Sequence, residues 1–291
     1  MEIGKIVRRI LQAKSILIGA GAGMGVDSGL PDFRGKEGFW RAYPPLAKVG
    51  LQFEEMANPR WFHEDPTLAW GFYGHRYQLY KSTRPHKGYE ILKNWIQSLQ
   101  IPSFIYTSNV DGHFSSTGWR NQTLECHGSL MHLQCLENCG QSPWIAQSSI
   151  KQKIQVCMKT LRCKSALPSC PGCHKLARPN ILMFSDFYWD QSRTSQQEQA
   201  LENWLSINGN QQLFVIEIGA GITIPTVRSF CEKTKEFYDC EMVRINPRDY
   251  HSPSGVEVLP LGALESLQLL DSEISKVLRW NFPLLNRYRF S

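Results

Sequence analysis

Four of the nine cysteines in this 291-residue chain form two closely spaced pairs that could bind a metal ion. Three residues separate Cys135 from Cys139, and two residues, Pro-Gly, separate Cys170 from Cys173. Thiolates at such spacings are typical zinc ligands, and a Pro-Gly turn brings both sulfurs of the second pair to one metal. Four protein ligands leave no open coordination position, so the pattern predicts one structural zinc ion.

Two alternatives to this ligand set stay open at the level of sequence. Cys157 and Cys163 lie between the two pairs and compete as ligands, and four unrelated thiols are the other interpretation. Disulfides are not expected, because the number of cysteines is odd and no export signal is recognised. The surrounding segment is rich in Cys, Gln and Ser, and a metal would fix a module with too little apolar content to fold by itself.

The stretch GAGMGVDSGLPDFRG, residues 21–35, could bind a phosphate group. It directly follows an apolar run that ends at Gly19, and glycines after a strand let main-chain N–H groups approach an anion. The glycine spacing departs from the usual G-x-G-x-x-G pattern, and glycines also serve tight turns. This stretch alone therefore leaves both interpretations open.

The elements that must position these residues alternate between helices and strands. The apolar spacing over residues 3–13 predicts an amphipathic helix, and three helices are expected between residues 53 and 99, one of them beginning at Asp65-Pro66. Short β-rich runs predict four buried strands: 15–19, 104–107, 213–218 and 241–245. Such alternation favours a parallel sheet covered by helices.

Composition limits the function classes. Hydrophobic residues make up 42% and charged residues 20% of the chain, as in globular proteins with a substantial core. No apolar run is long enough for a membrane span, and the N-terminal segment lacks the features of a signal peptide, so we expect a cytoplasmic protein that does not bind membranes. The net charge of +6 is modest, and the basic stretches are not interleaved with aromatic residues, so nucleic acid is not an expected partner.

Several motifs together resemble the sirtuins, the Sir2 family of NAD-dependent protein deacylases, of which this chain looks like a divergent, bacterial-type member. The motifs occur in the family's order between residues 15 and 270: GAGMGVDSGLPDFR at 21–34, TSNVD at 107–111, ECHGS at 125–129, RPNILMFSD at 178–186, IGAG at 218–221 and IN at 245–246.

This resemblance implies that the ligand of the glycine stretch is NAD, acting as a co-substrate. Arg34 would steer the phosphates and the nicotinamide end, and Phe33 would cover the ribose carbon after nicotinamide leaves. The cofactor-binding residues that it implies are Gly21, Ala22, Gly23, Asp32, Phe33, Arg34, Ser108, Asn109, Asp111, Gly219, Ala220, Gly221 and Asn246.

The resemblance also implies the catalytic residues His127, Asn109 and Asp111. His127 would be the general base that takes a proton from a ribose hydroxyl, since imidazole titrates near neutral pH. Asn109 and Asp111 would hold the nicotinamide carboxamide, whereas their residue types alone also fit an Asx turn after a strand. Only its place in the ECHGS segment favours His127 over His113 and His132.

Five residues are expected to bind an acylated protein or peptide: Tyr73, Arg76, Ile181, Phe184 and Ser185. Tyr73 and Arg76 lie three apart on one helix face. They resemble the Tyr-x-x-Arg pair of desuccinylase-type sirtuins, in which arginine can bind the carboxylate of a short acidic acyl group. A surface arginine and a half-buried tyrosine are the alternative.

Six residues, in two single positions and two pairs, depart from the family pattern. Gly25 replaces a serine, Ser108 a glutamine, Ala220-Gly221 a Thr-Ser pair and Ser185-Asp186 a Gly-Glu pair. The last pair falls where the family binds a substrate backbone by strand addition. One missing hydrogen bond at the ribose typically costs about 1 kcal/mol, which slows an enzyme without disabling it.

The expected fold is α/β, a Rossmann-like parallel sheet with helices on both faces plus a small lobe, within a single sirtuin-type catalytic domain over residues 1–291. The predicted segments are a large lobe of residues 1–35, 99–129 and 178–280, a cofactor-loop and helical module of residues 36–98, and a zinc-binding module of residues 130–177.

The expected function is NAD-dependent lysine deacylation, which transfers the acyl group to ADP-ribose and releases nicotinamide. One alternative is mono-ADP-ribosyl transfer or NAD hydrolysis by the same pocket. Another is a catalytically silent sensor of NAD or ADP-ribose, against which the presence of Asn109, Asp111 and His127 argues.

Overall fold

A computed structural model describes residues 3–31 and 35–281 of the chain. The chain divides into two compact units. Unit 1 comprises Met1–Asp27, Pro85–Tyr106 and Leu201–Ser291, and unit 2 comprises Ser28–Arg84 and Thr107–Ala200. The division into lobes and modules that the sequence suggested stays a prediction.

The helices and strands alternate over most of the described chain. The α-helices are α1 (Ile3–Gln12), α2 (Gly23–Val26), α3 (Gly35–Ala42), α4 (Pro44–Lys48), α5 (Phe53–Met56), α6 (Trp61–Glu64), α7 (Pro66–Ser82), α8 (Lys87–Leu99), α9 (Ala146–Ser149), α10 (Ser192–Asn208), α11 (Thr226–Tyr238) and α12 (Ala263–Asn281). The strands are β1 (Ser15–Ala20), β2 (Ser103–Thr107), β3 (Thr123–Glu125), β4 (Gly128–Cys135), β5 (Trp144–Ile145), β6 (Val156–Cys157), β7 (Arg162–Cys163), β8 (Ala177–Ile181), β9 (Leu213–Ile218), β10 (Glu241–Ile245) and β11 (Val256–Leu259). A π-helical turn (Ser115–Trp119) and a 3₁₀ turn (Arg120–Gln122) precede β3.

A sheet of six strands in the order β11-β10-β9-β1-β2-β3 confirms the predicted α/β class. The β1–β9, β9–β10 and β10–β11 pairs are parallel. Every residue of β1 and β9 is buried, as continuous apolar runs in parallel strands require. The four predicted strands are confirmed as β1, β2, β9 and β10, whereas β3 and β11, with three and four residues, are too short for periodicity to identify.

Close packing of α11 on β1 depends on Gly19 in unit 1. A Cβ atom at this glycine would lie 2.2 Å from Cys231 Sγ and 3.2 Å from Val227 Cγ1, both on α11. The absence of a side chain therefore sets the distance between this helix and the strand that leads into the glycine stretch.

Unit 2 contains an aromatic-rich core around α7. This helix begins as predicted, with Pro66 in its first turn and the Asp65 carboxylate accepting a 3.0 Å hydrogen bond from Leu68 N. Trp70 is fully buried, and its indole N–H donates to the Ala177 carbonyl at 2.9 Å. The predicted helices near 53–56 and 87–99 are confirmed as α5 and α8.

Strands flank the cysteine-rich segment of unit 2. Antiparallel pairing joins β4 to β5 and to β8, and a separate hairpin consists of β6 and β7. The hairpin packs tightly on α7, because a Cβ at Gly71 would lie 1.8 Å from the Leu161 carbonyl oxygen. No helix within the described ranges is both long and apolar enough to span a bilayer.

Candidate functional site

In unit 1, the glycine stretch packs against the loop that follows β9. A Cβ at Gly21 would lie 2.6 Å from the Gly219 oxygen, and a Cβ at Gly23 would lie 2.6 Å from Gly219 Cα. Gly219 itself has φ of 63°, and its Cβ would lie 2.5 Å from the Gly23 backbone. Mutual main-chain contact therefore already accounts for these three glycines, before any ligand is considered.

The main-chain amides of this stretch are mostly engaged. Gly21 N donates to the Ile218 carbonyl at 2.9 Å, and Gly23 N donates to the Gly219 carbonyl at 3.0 Å. Within the described residues, the Ala22 amide has no acceptor, so it is the N–H of this triplet that remains available to an anion. The sequence could not distinguish this amide from its neighbours, since all three lie within two residues of the start of the short helix α2.

Asn246, one of the predicted cofactor-binding residues and the counterpart of the asparagine that the resemblance assigns to the adenine ribose, joins two loops of unit 1. Its side-chain amide nitrogen donates to the Ala220 carbonyl at 2.8 Å. Its amide oxygen accepts hydrogen bonds from Arg248 N at 3.0 Å and from Asp249 N at 2.9 Å. Asn246 therefore positions the 219–221 loop, and its contact with a ribose stays a prediction.

Sequence reasoning missed a second residue at this loop, Arg228 of α11. Its guanidinium donates to the carbonyls of His251 at 2.9 Å and Ala220 at 3.4 Å, and to that of Asp249. Burial lowers the pKa of Arg228, with a further contribution from the nearby Arg244 charge. An arginine outside every motif cannot be recognised from one sequence, and the acceptors of Arg228 in the described part of the chain are main-chain carbonyls, which any residue type supplies.

In unit 2, main-chain hydrogen bonds bring the TSNVD and ECHGS segments together. Cys126 N donates to the Thr107 carbonyl, and Leu130 N donates to the Val110 carbonyl, both at 2.9 Å. Asn109 and Asp111 are nine-tenths or more buried, and His127 is partly buried. The three residues predicted to be catalytic thus belong to two adjacent segments.

Asp111 forms the Asx turn that its residue type suggests. Its carboxylate accepts a hydrogen bond from His113 N at 2.8 Å. Burial raises the pKa of Asp111, and the nearby charges of His113 and Arg76 oppose this shift. Carboxyl groups whose pKa is raised by burial are common in active sites. The turn and a role in binding are therefore compatible.

His127 lies where β3 ends and β4 begins. Its carbonyl accepts a hydrogen bond from Leu182 N at 3.0 Å, and the next residue, Gly128, pairs with Ile181 of β8. Gly128 has φ of 75°, and a Cβ there would lie 2.2 Å from the Asn180 oxygen. Within the described residues, the imidazole forms no hydrogen bond, and burial lowers its pKa, which favours the neutral form that a general base needs.

The two residues predicted to bind the acyl group are more deeply buried than the surface arginine and half-buried tyrosine of the alternative interpretation. Tyr73 and Arg76 of α7 are 1% and 5% exposed. Within the described residues, the Tyr73 hydroxyl has no hydrogen-bond partner. Burial raises the pKa of Tyr73, so its hydroxyl stays protonated and able to donate.

A buried ion pair shapes the predicted peptide-binding loop. Arg178 of β8 donates to both carboxylate oxygens of Asp186, with an Nη1–Oδ1 distance of 3.0 Å. Ser185 lies in the left-handed region with φ of 56°, where the family pattern has glycine. Phe184 N donates to the Ala57 carbonyl at 2.9 Å, and Ile181 is the last residue of β8. The loop is thus held at both ends.

The four predicted zinc ligands lie together in unit 2. Cys135 Sγ lies 3.5 Å from Cys173 Sγ, Cys139 Sγ lies 3.7 Å from Cys170 Sγ, and all four sulfurs lie within 4.8 Å of one another. A tetrahedral zinc with bonds of about 2.3 Å places its sulfurs about 3.8 Å apart. The cluster therefore fits one structural zinc.

The competing cysteines are excluded from this cluster. Cys157 and Cys163 belong to the separate β6–β7 hairpin, where Cys157 pairs with Arg162 and Cys163 with Val156. Asp32, Phe33 and Arg34, predicted to contact NAD, lie outside the described residues, and their roles stay predictions.

Comparison with protein families finds that the model described as the Sir2 family matches residues 21–208, more than half of the chain. An NAD-dependent protein deacylase of Pyrococcus abyssi is 29% identical over 63% of this chain and 66% of its own length, slightly less than two thirds. An NAD-dependent protein deacetylase of Caldivirga maquilingensis is 26% identical over 89% of this chain and 88% of the relative.

Solved structures agree on the fold. A Sir2 homologue in complex with NAD superposes with a TM-score of 0.69 at 22% identity, covering 94% of each chain. A complex of Sir2 with a p53 peptide and NAD⁺ gives a TM-score of 0.65 at 17% identity, covering 95% of this chain and all of the other. At these identities the likeness concerns the fold alone.

Proposed function

Because the chain belongs to the Sir2 family, we propose that it is an NAD-dependent protein lysine deacylase. Relatives with the same motif order are named for this activity. The observation that carries the proposal is the main-chain pairing of residues 107–110 with residues 126–130, which places Asn109 and Asp111 on a segment beside that of His127.

Each residue then has a defined task. NAD would supply the ribose carbon to which the acyl oxygen bonds as nicotinamide leaves. Asn109 and Asp111 hold the nicotinamide carboxamide, and their burial keeps water away from it. His127 accepts a proton from a ribose hydroxyl, since burial favours its neutral form. The Ala22 amide, which has no acceptor in the described chain, donates to the pyrophosphate.

The remaining cofactor contacts are proposed on the resemblance. They comprise Gly21 and Gly23, which shape the loop, and the residues Asp32, Phe33, Arg34, Ser108, Gly219, Ala220, Gly221 and Asn246. Departures such as Ser108 for glutamine are expected to weaken NAD binding without abolishing it, since each removes about one hydrogen bond.

The acylated substrate is a protein or peptide, and Ile181, Phe184 and Ser185 contact its backbone. The loop supports this role because the Arg178–Asp186 pair and the Phe184–Ala57 hydrogen bond fix its shape before any peptide arrives. A preformed loop loses less conformational entropy on binding.

We further propose a preference for short acidic acyl groups such as succinyl. Tyr73 has a buried hydroxyl that forms no hydrogen bond in the described structure, and Arg76 lies one helical turn away. A carboxylate on the acyl chain would accept hydrogen bonds from both groups. The expected result is faster removal of succinyl than of acetyl from lysine, with the difference lost in Arg76→Ala.

The reaction is tested by incubating the zinc-loaded protein with NAD and acyl-lysine peptides, and by identifying the products by mass spectrometry. Peptide-dependent nicotinamide release with formation of O-acyl-ADP-ribose supports deacylation. His127→Ala should abolish it, while substitution of the exposed His63 by alanine serves as the matched control. Nicotinamide and ADP-ribose formed without peptide indicate NAD hydrolysis, and NAD binding without turnover indicates a sensor.

A further inference from the structure

Among the described residues, four aromatic rings surround the guanidinium of Arg76. Its Cζ atom is 5.3 Å from the ring centroid of Phe72, 5.4 Å from Tyr80, 5.8 Å from Phe53 and 5.9 Å from Tyr73. Three of these residues belong to α7 at positions −4, −3 and +4 relative to Arg76, the spacing that places side chains on one face. Each distance falls within about 6 Å, where a cation is attracted to an aromatic ring.

Tyr80 differs from the other three residues because it also forms directional contacts. Its phenol oxygen accepts hydrogen bonds from Arg76 Nε at 3.2 Å and from Arg76 Nη2 at 2.9 Å. Both donors belong to one edge of the planar guanidinium. Ring faces restrain the position of this cation, whereas two hydrogen bonds on one edge also fix its rotation within its own plane.

We propose that Tyr80 is a positioning residue that determines acyl specificity by orienting the Arg76 guanidinium. The inference rests on the proposed role of Arg76 in receiving an acyl carboxylate. Because Tyr80 accepts from the Nε/Nη2 edge, it sets the direction in which Nη1 and the second N–H of Nη2 can donate to a carboxylate. Two-point recognition of a carboxylate requires a fixed orientation, since both N–H···O bonds must be nearly parallel.

This arrangement extends the acyl-binding site beyond the Tyr73–Arg76 pair. Tyr80 lies one further turn along α7 and is 7% exposed, so it acts on the acyl group through Arg76 and without contact to it. Rotation of the guanidinium would misalign its donors and leave an acetyl group unaffected, because acetyl has no terminal carboxylate. The hydroxyl of Tyr80 therefore affects the turnover of substrates whose acyl group ends in a carboxylate, and not that of acetylated substrates.

The test compares Tyr80→Phe with Tyr77→Phe in the full-length, zinc-loaded protein. Tyr80→Phe retains the ring and removes the hydroxyl. Tyr77 is a buried tyrosine of the same helix that forms no hydrogen bond with Arg76 in the described structure, so it is the matched control for folding. The readouts are kcat and KM on succinyl-lysine and acetyl-lysine peptides, and anisotropy of a labelled succinyl peptide without NAD.

The expected result is that Tyr80→Phe lowers the succinyl-to-acetyl ratio of kcat/KM about tenfold, mainly through KM, as loss of a hydrogen bond to a charged group implies. The succinyl peptide should also bind more weakly, while Tyr77→Phe keeps the wild-type ratio. A ratio in Tyr80→Phe that equals or exceeds the wild-type value overturns the inference. It would mean that the hydroxyl is inert or competes with the carboxylate for the same donors.

Arg76→Ala separates this inference from the proposed function. If Arg76→Ala lowers the succinyl-to-acetyl ratio and Tyr80→Phe does not, the role of Tyr80 is wrong and the acidic-acyl site stands. If neither variant changes the ratio, both the acidic-acyl site and the role of Tyr80 are wrong, while acetyl-lysine turnover still supports a deacylase.

Discussion

Arg178 and Asp186 form an ion pair that excludes solvent almost completely, with side-chain exposures of 1% and 0%. The guanidinium also donates to the Ile181 carbonyl at 3.0 Å, and the carboxylate accepts a 3.3 Å hydrogen bond from Met183 N. The pair therefore joins the end of β8 to the loop that carries Phe184 and Ser185. In sequence it reads as two charges eight residues apart, without any indication that both are buried.

Asp186→Asn should destabilise the protein strongly. The substitution leaves a buried guanidinium without its counter-charge, and breaking a buried pair in this way typically costs about 3–5 kcal/mol. Denaturant unfolding measures the change. The control is Arg162→Ala, which removes an exposed pair with Asp65 and should cost less than about 1 kcal/mol. Equal effects of the two variants would contradict the burial of the Arg178–Asp186 pair.

Gly21→Ala should destabilise unit 1, because its Cβ would lie 2.6 Å from the Gly219 oxygen and 2.7 Å from Ala220 Cα. Overpacking of this kind typically costs about 1–3 kcal/mol. Gly4→Ala is the opposite case, since Gly4 is an exposed residue inside α1, and alanine there should stabilise by about 0.5–1 kcal/mol. Thermal unfolding of both variants checks the contrast, and a neutral Gly21→Ala would argue against the close approach.

The parallel sheet could be predicted because its central strands are buried on both faces and therefore contain continuous apolar runs, as at residues 213–216 of β9. The cysteine pairs could be predicted because ligand spacing is local. The partners of Gly21 could not, since Gly219 is distant in sequence. The ring arrangement around Arg76 was only partly visible, because helical spacing gives Phe72, Tyr73 and Tyr80 but not Phe53 from α5.

Metal analysis should find about one zinc ion per chain. Cys170→Ser should lose the metal, because three thiolates with one hydroxyl bind zinc much more weakly than four thiolates. Cys157→Ser is the matched control and should keep the metal, since Cys157 belongs to the β6–β7 hairpin. Elemental analysis of the purified variants measures the stoichiometry. Retention of zinc by Cys170→Ser together with loss by Cys157→Ser would contradict the assigned ligand set.

Protonation of His132 should lower stability in mild acid. Burial lowers the pKa of His132 in β4 to about 4, with the charges of Arg193 and Arg120 contributing. The unfolded chain, with an ordinary pKa of about 6.5, binds this proton first, so the free energy of unfolding falls as the pH drops from about 6.5 to about 4 and then levels off. In His132→Leu, denaturant unfolding over this pH range should show a smaller fall in the free energy of unfolding. A fall identical to that of the wild type would show that His132 does not cause it.

The pH dependence of activity should reflect His127. Since burial lowers the pKa of this imidazole, the acidic limb of kcat/KM should lie below the ordinary histidine value of about 6.5. Initial rates with saturating peptide and limiting NAD across the pH range measure this limb. An acidic limb with its midpoint well above that value would contradict the assignment of His127 as the general base.

Helix α7 of unit 2 links the β6–β7 hairpin to Arg76, the residue proposed to bind the acyl group. Gly71 fixes the approach of this helix to the hairpin at Leu161, and Arg76 follows five residues later on the same rigid rod. A larger side chain at position 71 would displace helix α7 and, with it, the guanidinium of Arg76. Laboratory evolution of substrate selectivity therefore has a target at position 71 that never touches the substrate, since the close neighbours of a side chain there are main-chain atoms of Leu161 and Arg162.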